Sequence, residues 1–440
     1  MDQTVVLTSF TKEITDKHKS ILQSCAFFMQ RRNVMFYNLS EDVFIVNGSA
    51  KSCIYYLKTG KLYSLNKHLA DKVNQINNEA IEIESIDEDL QNVFKQFVDL
   101  GLLDVSVIHE KRNIDEIKEK DTGIKFAWIE ITSKCNLRCK HCYNESDVRC
   151  DSVMSLSDFK YVIDYLIQLK VPKIQIIGGE PFFDKKLLKE MLDYACGKFE
   201  FIEIFTNGTL IFEEEWFEYL KKNDIHIALS VYSYNSADHD GVTGQAGTLN
   251  KTNETIKNLK ERGIPYRVCN VLMKDVSLGK KNNDLYTLSE KKDIVRMSGR
   301  ASFELLDDEL IGKKLITKDS FSKTVTKAFC RRLISGHNCF RSKIYISADL
   351  EVYPCVMERR MNHGSLKDDN FSLSEKIRYF SKEYVEECSQ CEYRYACYDC
   401  RPDAISMDIN AKPWYCTYNP ALGEWEDKQE FIVKLKRQYS

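Results

Sequence analysis

The sequence lacks the features that mark membrane, secreted and nucleic-acid-binding proteins. It contains no run of about 18 uncharged apolar residues, which a membrane-spanning helix would need. The amino terminus, MDQTVVLTSFTKEITDKHK, has neither the basic start nor the apolar core of a signal peptide. With 63 Lys and Arg against 66 Asp and Glu, a net charge of −3 provides no broad basic surface for nucleic acid. We therefore expect a cytoplasmic protein that binds neither nucleic acid nor a membrane.

Cysteine, in contrast, is abundant, with 16 residues in a chain of 440. A reducing compartment keeps thiols free, so metal or redox chemistry explains this number better than disulfides do. Eleven of the cysteines fall in two groups, 135–142 and 330–416. The other five are predicted to be ordinary buried or surface thiols: Cys25, Cys53, Cys150, Cys196 and Cys269.

The length predicts two or three folded units. Residues 33–105 have the pattern of three short strands followed by two helices, the second of which should stop at Gly101. A charged stretch without apolar periodicity then indicates a solvated linker. The predicted domains are an amino-terminal domain (1–106), this linker (107–123), a central domain (124–325), a cysteine-rich domain (326–420) and a carboxy-terminal helix (421–440).

The central domain alternates strand-like runs with amphipathic helices, one of which has Ser157 as its predicted cap. This alternation is typical of a parallel α/β sheet, and six units predict a partial (β/α)6 TIM-like barrel. Functional loops in such folds follow the carboxyl ends of the strands. The six runs are FAWIEIT, KIQII, FIEIF, IHIALSVYS, YRVCNVLM and IVRMS.

The first predicted strand leads into TSKCNLRCKHCYN, which places Cys135, Cys139 and Cys142 in one loop. Three thiolates can hold an iron-sulfur cluster and leave one iron open to chelate a small molecule. A zinc site is the alternative, with His141 as the fourth ligand, although this residue lies directly between two of the cysteines.

The segment CNLRCKHC resembles the C-x3-C-x-Φ-C signature of the radical S-adenosylmethionine (SAM) superfamily. The resemblance implies a [4Fe-4S] cluster on Cys135, Cys139 and Cys142, with SAM on its open iron and the ring of His141 beside the adenine. Further motifs follow the next three strands in the family's order: GGEP, TNGT and a serine near the methionyl carboxylate. The SAM-binding residues that they imply are Gly178, Gly179, Glu180, Pro181, Thr206, Asn207 and Ser230.

The second cysteine group resembles the SPASM extension, which implies two auxiliary [4Fe-4S] clusters and three clusters in all. By position, the first auxiliary cluster would use Cys339, Cys355 and Cys400. The second would use Cys388, Cys391, Cys397 and Cys416. This chain departs from the family at Leu350, where glycine is usual, and by having two residues instead of three before Cys400. Zinc remains an alternative here.

Cys330 is ambiguous. As a fourth ligand it would close the first auxiliary cluster, whereas without it an iron would stay open to a substrate thiolate, which makes Cys330 a candidate for the catalytic site. A buried thiol with no such role is the third interpretation.

The amino-terminal domain resembles the winged-helix leader-recognition domains of peptide maturases, through its element order and the segments YSLN and GLL. Such a sheet can bind a leader peptide as an added strand. The alternative is a domain that only braces the barrel.

Together, these resemblances imply a radical SAM peptide-modifying oxidoreductase that crosslinks a ribosomally made precursor peptide through a 5′-deoxyadenosyl radical. A Cys thioether is the first expected product and a carbon-carbon crosslink the second. An external flavodoxin- or ferredoxin-type reductant would supply the electron. A sulfatase-type protein maturase and a non-enzymatic iron-sulfur sensor or peptide-binding scaffold are the other hypotheses.

Overall fold

The computed structural model describes residues 34–283, 285–286, 290–404 and 408–439. Cys25 and the start of the predicted amino-terminal domain lie outside the described residues, as does Ser440. The described chain forms two compact units. The first contains residues up to Val46 and Ser52–Glu116, and the second contains Asn47–Lys51 and the chain from Ile117 onward.

The described part of the first unit contains five strands and two α-helices. In chain order they are β1 (Phe36–Leu39), β2 (Val43–Asn47), β3 (Lys51–Tyr56), β4 (Lys61–Asn66), the helices Lys67–Asn78 and Glu88–Asp99, and β5 (Leu103–Ser106). The prediction of three strands was wrong in two ways. The third run divides into β3 and β4, and β5 was missed because its four residues are held by antiparallel pairing with the distant β1. Gly101, at φ +72°, follows the second helix as predicted.

The second unit is built on a parallel sheet. Its strands are β6 (Phe126–Glu130), β7 (Lys173–Ile177), β8 (Phe201–Thr206), β9 (His226–Ser230), β10 (Tyr266–Leu272) and β11 (Glu290–Ile294). Each pairs in parallel with the next, in chain order. The intervening helices are Leu156–Gln168, Lys185–Ala195, Glu214–Lys222, Ser236–Thr243 and Thr248–Glu261. The prediction of an α/β fold with a six-stranded parallel partial barrel is confirmed.

Two local predictions in the barrel need correction. The cap of the helix Leu156–Gln168 is Ser155, whose side chain accepts a hydrogen bond from the Asp158 amide, and not Ser157. The last strand was predicted at 294–298 but ends at Ile294, because its register is set by pairing with β10 and not by its own apolar residues. Arg296 consequently lies in the loop after the strand.

The sheet continues into the cysteine-rich region, across the predicted boundary at 325/326. β12 (Lys343–Ile346) pairs in parallel with β6, and β13 (Glu351–Tyr353) and β14 (Gly364–Ser365) follow it. A small hairpin of β15 (Tyr418–Asn419) and β16 (Glu424–Trp425) comes later. The remaining α-helices are Asp308–Lys314, Lys327–Ile334, Glu375–Arg378 and Lys428–Tyr439.

Short 3-10 helices complete the described chain: Ile83–Ser85, Ile114–Ile117, Pro181–Asp184, Phe303–Leu305, Lys318–Phe321, Lys382–Tyr384, Cys388–Gln390 and Arg401–Asp403. Within the described ranges, no helix combines the length and the apolar composition needed to cross a membrane.

Candidate active site

The loop after β6 brings the thiols of Cys135, Cys139 and Cys142 to one cavity, which is open to solvent and contains about 1080 Å³ of empty space. The three thiols lie close enough to influence one another electrostatically. Burial, with the neighbouring Cys142 as the next cause, raises the pKa of Cys139 to about 12. Thiols in such surroundings become thiolates when a metal binds them.

The two glycines after β7 allow this cysteine loop to pack directly against the sheet. A Cβ on Gly178 would lie 2.5 Å from the Thr132 carbonyl oxygen, and one on Gly179 would lie 2.2 Å from that of Lys134. The Gly179 amide donates a hydrogen bond to the Thr132 carbonyl at 2.7 Å. The close backbone approach predicted for this glycine pair is therefore an approach to the cysteine loop, and both glycines also line the cavity.

Glu180 is fully buried and joins two loops through its side chain. Its Oε1 accepts hydrogen bonds from the Phe182 amide at 3.0 Å and from the Thr206 hydroxyl at 2.7 Å. Its Oε2 accepts from the Asn207 amide at 2.8 Å. Burial raises the pKa of Glu180 to about 7, in spite of these three bonds. The carboxylate thus braces the loops after β7 and β8, with Pro181 buried beside it.

The polar residues after β8 and β9 face the same cavity. Asn207 donates from Nδ2 to Oδ1 of Asn136, inside the cysteine loop, at 2.9 Å. Thr206 and Ser230 also line the cavity. The carboxyl ends of β7, β8 and β9 therefore meet the cysteine loop at one edge of the sheet, as parallel pairing requires.

His141 also lines this cavity, with its ring 4.6 Å from that of Tyr232 in an edge-to-face arrangement. Burial lowers the pKa of His141 to about 4, so the ring is neutral at physiological pH. Its Nδ1 is buried and has no hydrogen-bond partner within the described residues. An unpartnered ring nitrogen at a cavity wall fits a ligand that can hydrogen-bond or stack there.

Sequence reasoning missed several cavity residues. Tyr232 was given no role, yet it lines the cavity, and Cys139 and Ser230 both influence the pKa of its hydroxyl, which burial raises. Cys269, considered an ordinary thiol, is in the cavity wall as well. Asp293 and Arg296 were missed because the last strand was predicted too late in the chain.

The carboxyl end of the cysteine loop is held by the segment that follows β11. The Arg300 guanidinium donates to the carbonyls of Cys139 at 3.4 Å and Ser146 at 3.0 Å, and its amide donates to that of Cys142 at 3.1 Å. Gly299 adopts φ +59°, and a Cβ there would lie 2.4 Å from the Cys142 carbonyl oxygen. No short motif in the sequence signals this contact.

A second cavity, also open to solvent and with about 1760 Å³ of empty space, lies beside the first. The two share lining residues, among them Tyr143, Cys269 and Asp293. The wall of the second cavity carries an ion pair between Arg267 and Glu203 at 2.7 Å. The cysteine cavity therefore opens into a lumen with room for part of a larger molecule.

The cysteine-rich region brings together the three residues of the first predicted auxiliary set. Burial raises the pKa of Cys355 to about 11, and nearby Cys339 raises it further. The charge of Cys355 in turn raises the pKa of Cys400, which burial raises most. Leu350, the departure from the family's glycine, adopts φ +71° in the turn between β12 and β13. The backbone thus keeps the conformation that glycine favours, although the residue differs.

The second predicted set also converges. Cys388, Cys391, Cys397 and Cys416 line one small cavity of about 440 Å³ of empty space. Lys382 is buried there and donates to the Tyr398 carbonyl at 3.3 Å, and the neighbouring Cys397 and Cys388 raise its pKa against the effect of burial. A buried ammonium beside four thiols fits an anionic metal-thiolate group. Among the described residues, no group of three or more His, Cys, Asp or Glu side chains is arranged to hold a single metal ion.

The structure does not bring Cys330 into either set. The residue is fully buried in the helix Lys327–Ile334. Burial raises the pKa of its thiol to about 12, and no influence of another cysteine on it is found in the described part of the chain.

Comparison with known proteins identifies the superfamily of the barrel domain. Residues 129–277, which contain the cysteine loop and β7 to β10, match the Radical SAM superfamily. They form a radical SAM domain. The prediction of a radical SAM domain is thereby confirmed, and this superfamily implies the use of SAM and of one [4Fe-4S] cluster.

Two relatives of different kinds resemble this radical SAM protein. The antilisterial bacteriocin subtilosin biosynthesis protein AlbA of Bacillus subtilis is 36% identical over 200 residues, which cover 44% of this chain and 42% of AlbA. The chain thus spans less than half of AlbA. The AdoMet-dependent heme synthase of Nitratidesulfovibrio vulgaris is 26% identical over 67% of this chain and 92% of its own length.

Among solved structures, SuiB of Streptococcus suis, bound to the precursor peptide SuiA, has a TM-score of 0.50 and 14% identity. The match covers 86% of this chain and 99% of that protein. At this identity, the similarity concerns the fold alone.

The cavity of the radical SAM domain fits both cofactors. Cys135, Cys139 and Cys142 would hold the cluster, and the wall formed by His141, Asn207 and Ser230 would hold SAM. When bound, these cofactors supply a 5′-deoxyadenosyl radical that removes a hydrogen atom from a substrate. The chain itself supplies the fixed geometry in which these groups would meet.

Proposed function

We propose that this chain is a radical SAM maturase that crosslinks a ribosomally made precursor peptide. The observation that carries the proposal is the continuity of the three-cysteine cavity with the larger lumen, which has room for a peptide segment. AlbA, which is named for the biosynthesis of a bacteriocin, supports a peptide substrate. The precursor would be partner and substrate at once.

A thioether from a cysteine sulfur to a peptide carbon is the first expected product, and a carbon-carbon crosslink between side chains is the second. Either bond removes two hydrogens from the peptide: one would leave as an atom to form 5′-deoxyadenosine, and the other as a proton and an electron that would pass to an auxiliary cluster. Within the lumen, the paired Arg267 and Glu203 would orient polar groups of the peptide, while the neutral His141 would pack beside the adenine. Glu180 would keep the loops after β7 and β8 in register with the cysteine loop.

We further propose two auxiliary [4Fe-4S] clusters, one on Cys339, Cys355 and Cys400 and one on Cys388, Cys391, Cys397 and Cys416. The cation of Lys382 beside the second set supports an anionic group there. An external flavodoxin- or ferredoxin-type protein would supply the electron for the first step.

The first compact unit would recognise the leader peptide. Its sheet, in the order β2-β3-β4, has an edge along β4, where residues Lys61–Asn66 are largely exposed or half-buried. A leader could bind there as an added strand, with main-chain hydrogen bonds supplying affinity.

A second candidate function is oxidative chemistry on a tetrapyrrole. It is favoured by the heme synthase relative, whose alignment covers nearly all of that protein. The lumen would then hold a macrocycle in place of a peptide segment.

Mass spectrometry of an anaerobic, reduced, iron-reconstituted reaction with SAM and a cysteine-containing candidate precursor tests the proposal. We expect 5′-deoxyadenosine and a peptide that has lost two hydrogens, with fragmentation locating the new bond. The triple variant Cys135→Ala, Cys139→Ala, Cys142→Ala should make neither product, and Cys196→Ala should behave as wild type. Formation of 5′-deoxyadenosine without a peptide change, together with turnover of an iron coproporphyrin, would reject the peptide in favour of the tetrapyrrole.

A further inference from the structure

Arg296 connects the wall of the SAM cavity with the first auxiliary cysteine set. The residue lines the cavity. Its Nη2 lies 2.7 Å from a carboxylate oxygen of Asp293, which is in the same wall. Its Nη1 lies 2.6 Å from Sγ of Cys400 and 3.5 Å from a carboxylate oxygen of Asp403. The guanidinium thus has one nitrogen on a cavity residue and the other on a proposed cluster ligand.

The Cys400 sulfur is the main partner of Nη1, because the more distant Asp403 already has another cation beside it. Asp403 is fully buried and already pairs with Lys314 Nζ at 2.9 Å. As a ligand of an iron-sulfur cluster, Cys400 would be a thiolate, which accepts from a guanidinium better than a neutral thiol does. A thiolate bound to iron would keep this negative charge at any physiological pH.

We propose that Arg296 is a positioning residue for the auxiliary cluster: its guanidinium, next to Cys400, stabilises the reduced form of the cluster held by Cys339, Cys355 and Cys400. The inference rests on the auxiliary ligand set of the proposed function. A reduced cluster carries one more negative charge than its oxidised form, and a fixed cation nearby favours the more negative state. The reduction potential of this cluster is therefore higher than it would be without Arg296.

Arginine suits this place better than lysine would. Its planar fork reaches Asp293 and Cys400 with different nitrogens, whereas a lysine ammonium is a single point of charge on a flexible stem. Asp293 moderates the effect, because its carboxylate partly neutralises the guanidinium.

The test is a redox titration of the anaerobically reconstituted full chain, followed by electron paramagnetic resonance. Arg296→Gln should lower the midpoint potential of one auxiliary cluster by more than that of the radical SAM cluster, because the guanidinium contacts a ligand of the auxiliary cluster. Asp293→Asn should raise the same potential, because the guanidinium is then less neutralised. Arg296→Lys should recover most of the wild-type value. Arg262→Gln removes an arginine that pairs with Asn258 and Glu214 and lies over the Phe217 ring, away from every proposed cluster ligand, and should change nothing.

An unchanged potential in Arg296→Gln at full iron content would overturn the inference, as would equal shifts in the Gln and Lys variants. If Arg296→Gln does not retain iron, Asp293→Asn decides: a raised potential supports the inference and an unchanged one overturns it. The titration needs no peptide, so a failure of crosslinking would reject the proposed function alone. A single cluster in the wild type would overturn the auxiliary set and this inference together.

Discussion

At the scale of single residues, the site depends on backbone approaches that leave no space for a side chain. Gly178, Gly179 and Gly299 each meet a carbonyl of the cysteine loop at less than 2.6 Å from where a Cβ would be. These contacts hold the loop from both ends, together with Arg300. The geometry of the three thiols is therefore set by glycine packing as much as by the cysteines themselves.

Gly179→Ala should displace the cysteine loop by roughly 1 Å, because its Cβ would meet the Lys134 backbone, and should lower 5′-deoxyadenosine formation by about 100-fold. Gly241→Ala is the matched control, since a Cβ there meets nothing within 4 Å in the helix Ser236–Thr243. Rates are to be measured with SAM and reductant alone. Near-normal activity of Gly179→Ala would contradict the packing argument.

Glu180 should make stability depend on pH. Its folded-state pKa, about 7, lies above the ordinary 4.5, so the folded state binds the proton more tightly. Its contribution is present below pH 4.5 and is lost as pH rises to about 7, a change of about 3 kcal/mol. Glu180→Gln should lack this loss. Urea unfolding of both proteins between pH 5 and 8 measures the difference, and parallel pH profiles would disprove the prediction.

At the scale of elements, strand ends and helix caps decide which side chains reach the cavity. Ending β11 at Ile294 puts Arg296 in a loop at the cavity wall, where a longer strand would have fixed it in the sheet. Local propensity favoured a later strand, but the ladder to β10 set the register. The position of Arg296, on which the redox inference rests, could for this reason not be predicted from the sequence.

The cap of the helix Leu156–Gln168 gives a test at this scale. Ser155→Ala removes the side chain that accepts from the Asp158 amide and should cost about 1 kcal/mol of unfolding free energy. Ser157→Ala lies inside the helix and should change it by less than about 0.5 kcal/mol. Chemical denaturation of the two variants compares them directly. Equal losses would mean that the cap assignment is wrong.

At the scale of the whole molecule, three cysteine sets lie in a single compact unit whose sheet runs from the barrel into the cysteine-rich region through β12. Cys330 stays apart from all three. The reconstituted chain should therefore bind about twelve irons, as expected for three [4Fe-4S] clusters. Cys330→Ala should bind the same number, and the variant without Cys135, Cys139 and Cys142 about eight.

Iron analysis and Mössbauer spectroscopy of these proteins check the count. Zinc in place of iron in the cysteine-rich region would reject the auxiliary clusters. A loss of iron in Cys330→Ala at unchanged folding would instead make that residue a ligand, by a movement of its helix that the structure does not contain.

The sequence by itself determined the cysteine loop, the motifs after β7, β8 and β9, and the order of the barrel, because these depend on local spacing and on apolar periodicity. Only the tertiary structure decided that β5 pairs with β1, that Ser155 is the cap, and that Tyr232, Cys269 and Arg296 face the cavity. Such contacts join residues far apart in the chain, and their energy comes from packing and charge that no local pattern contains.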